Sequence, residues 1–370
     1  VRITAARHGA TGKNGVYICG GTLDITAGQD GLHAENNEDT TRGMVFVSGG
    51  SVRIAADGDG IDTGSTLEIT DGDFDIVTGG GSQNAPAHQE ERGGRGWFGW
   101  QDSAGSSAQD SVSAKGLKAG GSVTLSGGNF TLDCQDDAIH SNADVTIAGG
   151  TYQIATGDDG VHADENAVIS GGTILISASY EGIEGQRIEI SGGEIDVTAS
   201  DDGLNAAGSD SGGDARRGFM QSSGNNELII SGGYIVIDAA GDGLDSNGNL
   251  TVTGGTVYVY GPESSNNGAL DFDGTGTVTG GAVVALGASG MAQNFDDSSS
   301  QGSILASCST QAAGTVVTLL DANGVGLAAP QVGILRRIFL VNDGEKVKAY
   351  INPQILERRG EQRPVEGCLS

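Results

Sequence analysis

A phrase of about 22 residues repeats along this chain, and it restricts the fold to a stack of similar units. The register is cleanest between residues 127 and 205. Gly-Gly pairs fall at 127–128, 149–150, 171–172 and 192–193, steps of 22, 22 and 21 residues. Between them come Asp136-Asp137-Ala138-Ile139-His140, Asp158-Asp159-Gly160-Val161-His162, Glu181-Gly182-Ile183-Glu184 and Asp201-Asp202-Gly203-Leu204-Asn205. A fixed period of this size belongs to a solenoid, in which each unit buries its apolar face on the next. Stacking then turns one acidic corner into a ladder of acidic corners.

Within a unit the apolar residues alternate. Phe130, Leu132 and Cys134 alternate with Asn129, Thr131 and Asp133, the period of a half-buried strand. A second short strand precedes each Gly-Gly pair, with Val145 and Ile147, Ala167 and Ile169, then Ile188 and Ile190. Like residues share one phase of the repeat, so they stack as inward columns of a parallel β-helix. The Gly-Gly pair makes the turn between the two strands, where positive φ or close packing is needed. Further Asp-Gly corners occur at 30–31, 59–60 and 242–243, and Gly268-Ala269-Leu270-Asp271 continues the series. Long insertions near 79–112 and 207–226 interrupt it. We expect an all-β solenoid of roughly ten coils over residues 1–320.

Aligned by phase, the corners form two outward columns. The first reads Asp30, Asp59, Lys115, Asp137, Asp159, Glu181, Asp202, Asp242. The second reads His33, Asp62, Lys118, His140, His162, Glu184, Asn205, Asp245, Asp271. Asp136, Asp158 and Asp201 add part of a third. Carboxylates one strand spacing apart repel without a counterion, and oxygen-rich clusters suit Ca²⁺ with its 6–8 oxygen ligands. Calcium candidates are therefore Asp59, Asp62, Asp136, Asp137, Asp158, Asp159, Glu181, Glu184, Asp201, Asp202, Asp242, Asp245 and Asp271. The alternative for any one Asp-Gly is an Asx turn, with the glycine in the left-handed bend and the charge solvated. Adjacent His140 and His162 are either a transition-metal pair or plain stacked polar residues. Lys115 and Lys118, the basic corner pair, either salt-bridge neighbouring rungs or touch an anionic ligand. In a lyase, Lys118 would be the base.

The formal charge of −29 opposes nucleic acid as a partner, since phosphate binding needs a basic face. It suits cations. No apolar run approaches the length of a membrane span. The cysteines at 19, 134, 308 and 368 share no close spacing, so a disulfide framework is not indicated. Both tryptophans lie in the first insertion, within Arg92-Gly93-Gly94-Arg95-Gly96-Trp97-Phe98-Gly99-Trp100. Trp97, Phe98 and Trp100 are suited either to sugar stacking or to capping the rod. Arg216-Arg217-Gly218-Phe219-Met220 in the second insertion is a weaker version of the same mix.

Several long phrases in order carry a resemblance. They include Ser113-Ala114-Lys115-Gly116-Leu117-Lys118-Ala119, Asp158-Asp159-Gly160-Val161-His162-Ala163-Asp164 and Asp242-Gly243-Leu244-Asp245-Ser246-Asn247-Gly248. Over roughly residues 15–320 the chain resembles secreted bacterial carbohydrate-binding β-helix proteins. The resemblance implies a right-handed parallel β-helix similar to pectate lyases, with Ca²⁺ at acidic corners. It also implies binding of cell-wall polysaccharide such as polygalacturonate (pectin) or cellulose, without catalysis, in a secreted or cell-surface protein. The insertion aromatics and the basic corner pair Lys115 and Lys118 are the carbohydrate-binding candidates. The chain begins at Val1 inside what reads as a repeat, so no signal peptide is expected to be visible.

Residues 321–370 change character. Beyond 324 the Gly-Gly phrase stops, and 7 basic residues outnumber 5 acidic ones. Gly324-Val325-Gly326-Leu327-Ala328-Ala329-Pro330-Gln331-Val332-Gly333 and Glu366-Gly367-Cys368-Leu369-Ser370 resemble the first two motifs of peptide deformylase. The resemblance implies that Gln331 would hydrogen-bond the formyl oxygen and Cys368 would ligate Fe²⁺ or Zn²⁺, with Glu366 lining the site. The HExxH motif that supplies two histidine ligands and the general base is absent from these residues. One ligand of three cannot hold a catalytic metal, so an inactive α+β fragment is expected. A splice between unrelated reading frames explains the join more simply than a natural fusion.

Overall fold

The computed structural model describes residues 1–88, 113–208 and 226–309, and the backbone of 338–342 and 347–351. Parallel strands dominate. Each strand pairs with the equivalent strand one repeat away: Asn129–Cys134 with Thr151–Thr156, and Val123–Leu125 with Val145–Ile147. A third series of three-residue strands carries the corner phrase. There Ile139–Ser141 lies between Leu117–Ala119 and the start of Val161–Ile169. All these ladders join into one 27-stranded sheet, which makes the chain an all-β parallel solenoid with three strand-bearing sides. What the sequence reads as a bare corner is thus a short strand of its own.

Both insertions leave the stack in register. Leu117–Ala119 pairs with Ile61–Thr63 across the first, and Arg187 sits opposite Glu227 across the second. Inward residues form continuous columns. Leu132, Ile154, Ile176, Val197, Ile237 and Val259 follow one another and are fully buried. Each such side chain contributes about 1.5–3 kcal/mol relative to exposure, so stability accumulates rung by rung. Phe74, Phe130 and Tyr152 stack with ring centroids 4.7 Å apart at each step. Tyr152 keeps its hydroxyl satisfied by donating to the Gly149 carbonyl at 2.7 Å. Cys134 is a buried free thiol, in keeping with its place in the inward strand phase.

The two glycines of each turn have different tasks. A Cβ on Gly149 would meet the Ser126 carbonyl oxygen of the neighbouring coil at 2.7 Å. Gly150 instead adopts φ 101°, a conformation L side chains rarely take. The glycine after the corner acid does not follow the left-handed Asx expectation. Gly160 is absent from the positive-φ set, and its hydrogen is needed because a Cβ would lie 2.6 Å from the Gly182 carbonyl oxygen.

The helical content of the described residues is a 3₁₀ turn at Ser82–Asn84. None of their helices is long and apolar enough to cross a membrane. Ile338–Asn342 and Val347–Ile351 form an antiparallel pair outside the solenoid sheet. Trp97, Phe98, Trp100, Gln331, Glu366 and Cys368 lie outside the described residues.

Candidate functional site

The corner strands assemble the second column in the order read from the sequence. Register pairs run His33 to Asp62, Asp62 to Lys118, Lys118 to His140 and His140 to His162. They continue from His162 to Glu184, Asn205, Asp245 and Asp271. These side chains are half-buried on the outside of the short strands, apart from the more deeply buried Asn205.

Three members of the first column are not outward. Asp59, Asp137 and Asp159 are only 2%, 2% and 5% exposed. Along the rod axis the carboxylates of Asp30, Asp59, Asp137, Asp202 and Asp242 accept a main-chain N–H from the next coil's corner. Asp59 N–H donates to Asp30 Oδ1 at 3.0 Å, Lys115 N–H to Asp59 Oδ1 at 2.8 Å, and Asp159 N–H to Asp137 Oδ1 at 3.1 Å. Asp242 N–H donates to Asp202 in the same way, and Gly268 N–H to Asp242. This column is a structural ladder as well as a charge ladder, because its acceptors satisfy donors that the turn would otherwise leave unpaired.

Along the first and central coils, side-chain cations face the carboxylates. Lys115 Nζ lies 2.7 Å from Asp136 Oδ1 and 2.6 Å from Asp137 Oδ2. Lys118 Nζ reaches the other way, 2.9 Å from Asp59 Oδ2 and 3.5 Å from Asp62 Oδ1. Burial alone would lower both lysine pKa values, yet Asp137 with Asp136 raises Lys115, and Asp59 raises Lys118. An amine held protonated is the opposite of what a lyase base requires. The geometry is that of salt-bridging between rungs, which favours the protonated Lys118 over the neutral amine.

Histidines complete the compensation. His140 Nδ1 sits 2.8 Å from Asp137 Oδ2, and the rings of His140 and His162 stack at 4.8 Å. His162 Nδ1 lies 2.9 Å from Asp159 and 2.7 Å from Glu184. Burial opposes protonation of His162, but these two carboxylates push it up to about 11. Burial also pushes Asp158 up to about 6, and its near neighbour is His88, 3.5 Å away. Donor atoms of Asp136, Asp137 and Asp158 lie within 4.8 Å of one another, as do those of Asp159, His162 and Glu184.

Sequence reasoning passed over His8. It stands 22 residues before Asp30, in a His8-Gly9 corner that keeps the phase of the repeat. It stacks on His33 at 4.2 Å, and both Nδ1 atoms lie within 3.0 Å of Asp30 Oδ2.

The C-terminal coils differ. Glu181, Asp202, Asp242, Asp245 and Asp271 have no lysine, arginine or histidine in an ion pair among the described residues. Burial raises each of them. It pushes Glu181 up to about 9, Asp202 to about 7, Asp242 to about 6 and Asp245 to about 8. Neighbouring carboxylates add to the shift: Asp159 for Glu181, Asp201 for Asp202, Asp202 for Asp245 and Asp273 for Asp271. Asn205 stands on the same column and is 7% exposed. Its Nδ2 donates to Glu181 Oε2 at 2.9 Å, while its Oδ1 is buried without a hydrogen-bond partner. An unpaired amide oxygen beside buried carboxylates is an all-oxygen donor set, which fits a hard cation such as Ca²⁺.

Comparison with known proteins divides the chain. Residues 305–370 match polypeptide deformylase. Peptide deformylase 1 of Clostridium perfringens is 58% identical over 57 residues, 15% of this chain and 39% of the relative. Peptide deformylase of Agathobacter rectalis is 60% identical over 53 residues, 14% of this chain and 34% of the relative. The chain thus spans well under half the length of these curated relatives. No solved structure matches it. Residues 1–160 and 158–334, which include every coil of the solenoid, match carbohydrate-binding domain-containing proteins, and the chain belongs to that family.

Proposed function

We propose that residues 1–320 form a secreted or cell-surface module that binds cell-wall polysaccharide with Ca²⁺ held at the acidic corner, without catalysis. The observation that carries the calcium part is the C-terminal corner. Its carboxylates are half-buried, make no ion pair with a basic side chain among the described residues, and stand on the column where Asn205, the register partner of Asp245, keeps a buried Oδ1 without a hydrogen-bond partner. Asp202, Asp242, Asp245 and Asn205 would hold the ion, with Glu181 and Asp271 on either side. Bound Ca²⁺ would neutralise the column and offer open positions to uronate carboxylates. That is how a chain of charge −29 could retain polygalacturonate. Asp59, Asp62, Asp136 and Asp137 already face lysine, and Asp59 and Asp137 also serve the structural ladder.

Titration calorimetry with polygalacturonate and with cellulose oligosaccharide, each with Ca²⁺ and with chelator, tests the reading. We expect polygalacturonate to bind only with Ca²⁺. Failure to bind any cell-wall glycan would sink the proposal.

A further inference from the structure

The first coils hold a side-chain cluster of a different kind from the acidic corners. We propose that His8, Asp30 and His33 form a site for a divalent transition ion, with Zn²⁺ as the best fit, that ties the first two coils together. The site shares no residue with the C-terminal Ca²⁺ corner and does not depend on glycan binding.

His8 opens the corner phrase one repeat before Asp30, so it takes the place that an acid or Lys115 holds in other coils. Strand register fixes the arrangement. Ala10 pairs with Leu32 and Thr11 with His33, and on the next rung His33 pairs with Asp62. The His8 ring lies on the His33 ring, with centroids 4.2 Å apart and planes 21° from parallel. Their Nδ1 atoms stand 2.9 and 3.0 Å from the same oxygen, Asp30 Oδ2. The other oxygen, Oδ1, accepts the Asp59 N–H at 3.0 Å, which holds the carboxylate in place. Donor atoms of the three residues all lie within 4.8 Å of one another.

The state of Nδ1 separates this cluster from the other corner histidines. His140 bonds Asp137 through Nδ1 at 2.8 Å and Asn142 through Nε2 at 2.9 Å. His162 bonds Asp159 through Nδ1 at 2.9 Å and Asp164 through Nε2 at 3.2 Å. Both ring nitrogens are engaged there. His8 Nδ1 and His33 Nδ1 are buried without a hydrogen-bond partner. Asp30 Oδ2 is near enough to both, so it lies off the hydrogen-bond direction of each ring. Two imidazole nitrogens and a carboxylate oxygen that converge without bonding one another are satisfied together by one metal ion.

The fit to Zn²⁺ is close. With metal–ligand lengths of about 2.0–2.2 Å, tetrahedral donors stand about 3.4 Å apart, so a parting of roughly half an ångström admits the ion. Imidazole nitrogen suits Zn²⁺ and its neighbours, whereas Ca²⁺ takes oxygen. Asp62 Oδ2, 2.9 Å from His33 Nδ1, brings a second negative charge. His33 Nε2 has Glu35 Oε2 at 3.6 Å, the kind of carboxylate neighbour that metal-bound imidazoles acquire. The plain alternative is a His8 imidazolium paired with Asp30, as Lys115 pairs with Asp137, and it predicts no response to Zn²⁺.

Calorimetric titration of the whole chain with Zn²⁺, after metals are stripped by chelator, tests the site. One Zn²⁺ per chain that excess Ca²⁺ does not displace is expected, together with a higher melting temperature. His8→Gln and His33→Gln should each weaken this binding by at least about a hundredfold, since a lost ligand costs more than a lost outer partner. His140→Gln/His162→Gln should bind Zn²⁺ like the parent. X-ray absorption at the zinc edge of the loaded parent needs no variant, and it should show two imidazoles with oxygen. Absence of saturable Zn²⁺ binding would overturn the inference. So would binding untouched by His8→Gln and His33→Gln, or a zinc shell of sulfur or of oxygen alone.

Discussion

The central and C-terminal coils carry the same corner phrase but neutralise it differently. Around Asp59, Asp137 and Asp159 the neighbours include Lys115, Lys118, His140 and His162, and each carboxylate has a side-chain cation within hydrogen-bond distance. Around Asp202, Asp242 and Asp245 the neighbours are other carboxylates and Asn205. One backbone geometry thus supports two electrostatic solutions. The first uses lysine and histidine side chains, and the second has no lysine, arginine or histidine in an ion pair among the described residues. Both columns accept main-chain N–H groups from the next coil, so the difference lies in their charge partners and not in their backbone role.

The sharpest way to break the comparison is to remove an internal cation. Lys115→Met leaves Asp136 and Asp137 without their ammonium while Asp137 stays buried. A stability loss of about 3–5 kcal/mol is expected, read from the urea midpoint. A loss below about 1 kcal/mol would show that the central corner does not depend on its lysine.

Asp137 and the C-terminal acids should also answer pH in opposite directions. Burial opposes ionisation of Asp137, yet the His140 hydrogen bond and Lys115 hold its pKa below the ordinary carboxylate value. Its contribution is present above the unfolded pKa of about 3.9 and is lost as pH falls through the folded value. At the C-terminal corner the folded values are raised, to about 6 for Asp242, 7 for Asp202 and 8 for Asp245. There the unfolded chain releases its protons first, so stability falls as pH rises from about 4 toward 8. Melting curves across that range, in chelator and in Ca²⁺, should show a declining midpoint in chelator that Ca²⁺ restores mainly at the alkaline end. A flat profile in chelator would contradict the assignment.

Neutralising one C-terminal acid should mimic the ion. Asp245→Asn is expected to stabilise the chelated protein at pH 8 by roughly 1–2 kcal/mol and to reduce the Ca²⁺-induced rise in melting temperature. The same change at Asp137 should destabilise, because that carboxylate has partners to lose. The smallest effect concerns the turn common to both regions. Gly150→Ala places a side chain at φ 101° and should cost about 1–2 kcal/mol wherever the stack is probed, without altering the Ca²⁺ response.

Much of this was legible in the residues. Strand phase follows from alternation, and Phe130, Leu132 and Cys134 are buried as that phase requires. The second column follows from the repeat length, and its order from His33 to Asp271 matches the strand register at every step. His8 was equally legible, since its corner keeps the period, but His-Gly lacks the acid that made the other corners stand out. The direction of the first column was not legible. An aspartate at a corner can face water or run along the axis, and the choice depends on whether a neighbouring coil sets an N–H above it. The glycine after that aspartate misled for the same reason: its requirement comes from the carbonyl of another coil, not from its own φ.

Period, alternation and charge count are properties of the chain as a string, so the sequence by itself determined a parallel stack with an acidic edge. Where each charge finds its partner is a matter of distances between coils. Only the tertiary structure turned Lys115 toward Asp137 and Lys118 toward Asp59, and left Asn205 Oδ1 buried beside unpaired carboxylates. The physical reason is that Coulomb and hydrogen-bond energies act over a few ångströms. Residues 22 apart become near neighbours only once the coils are stacked, and the insertion residues between Thr78 and Ser113 leave that stacking in register.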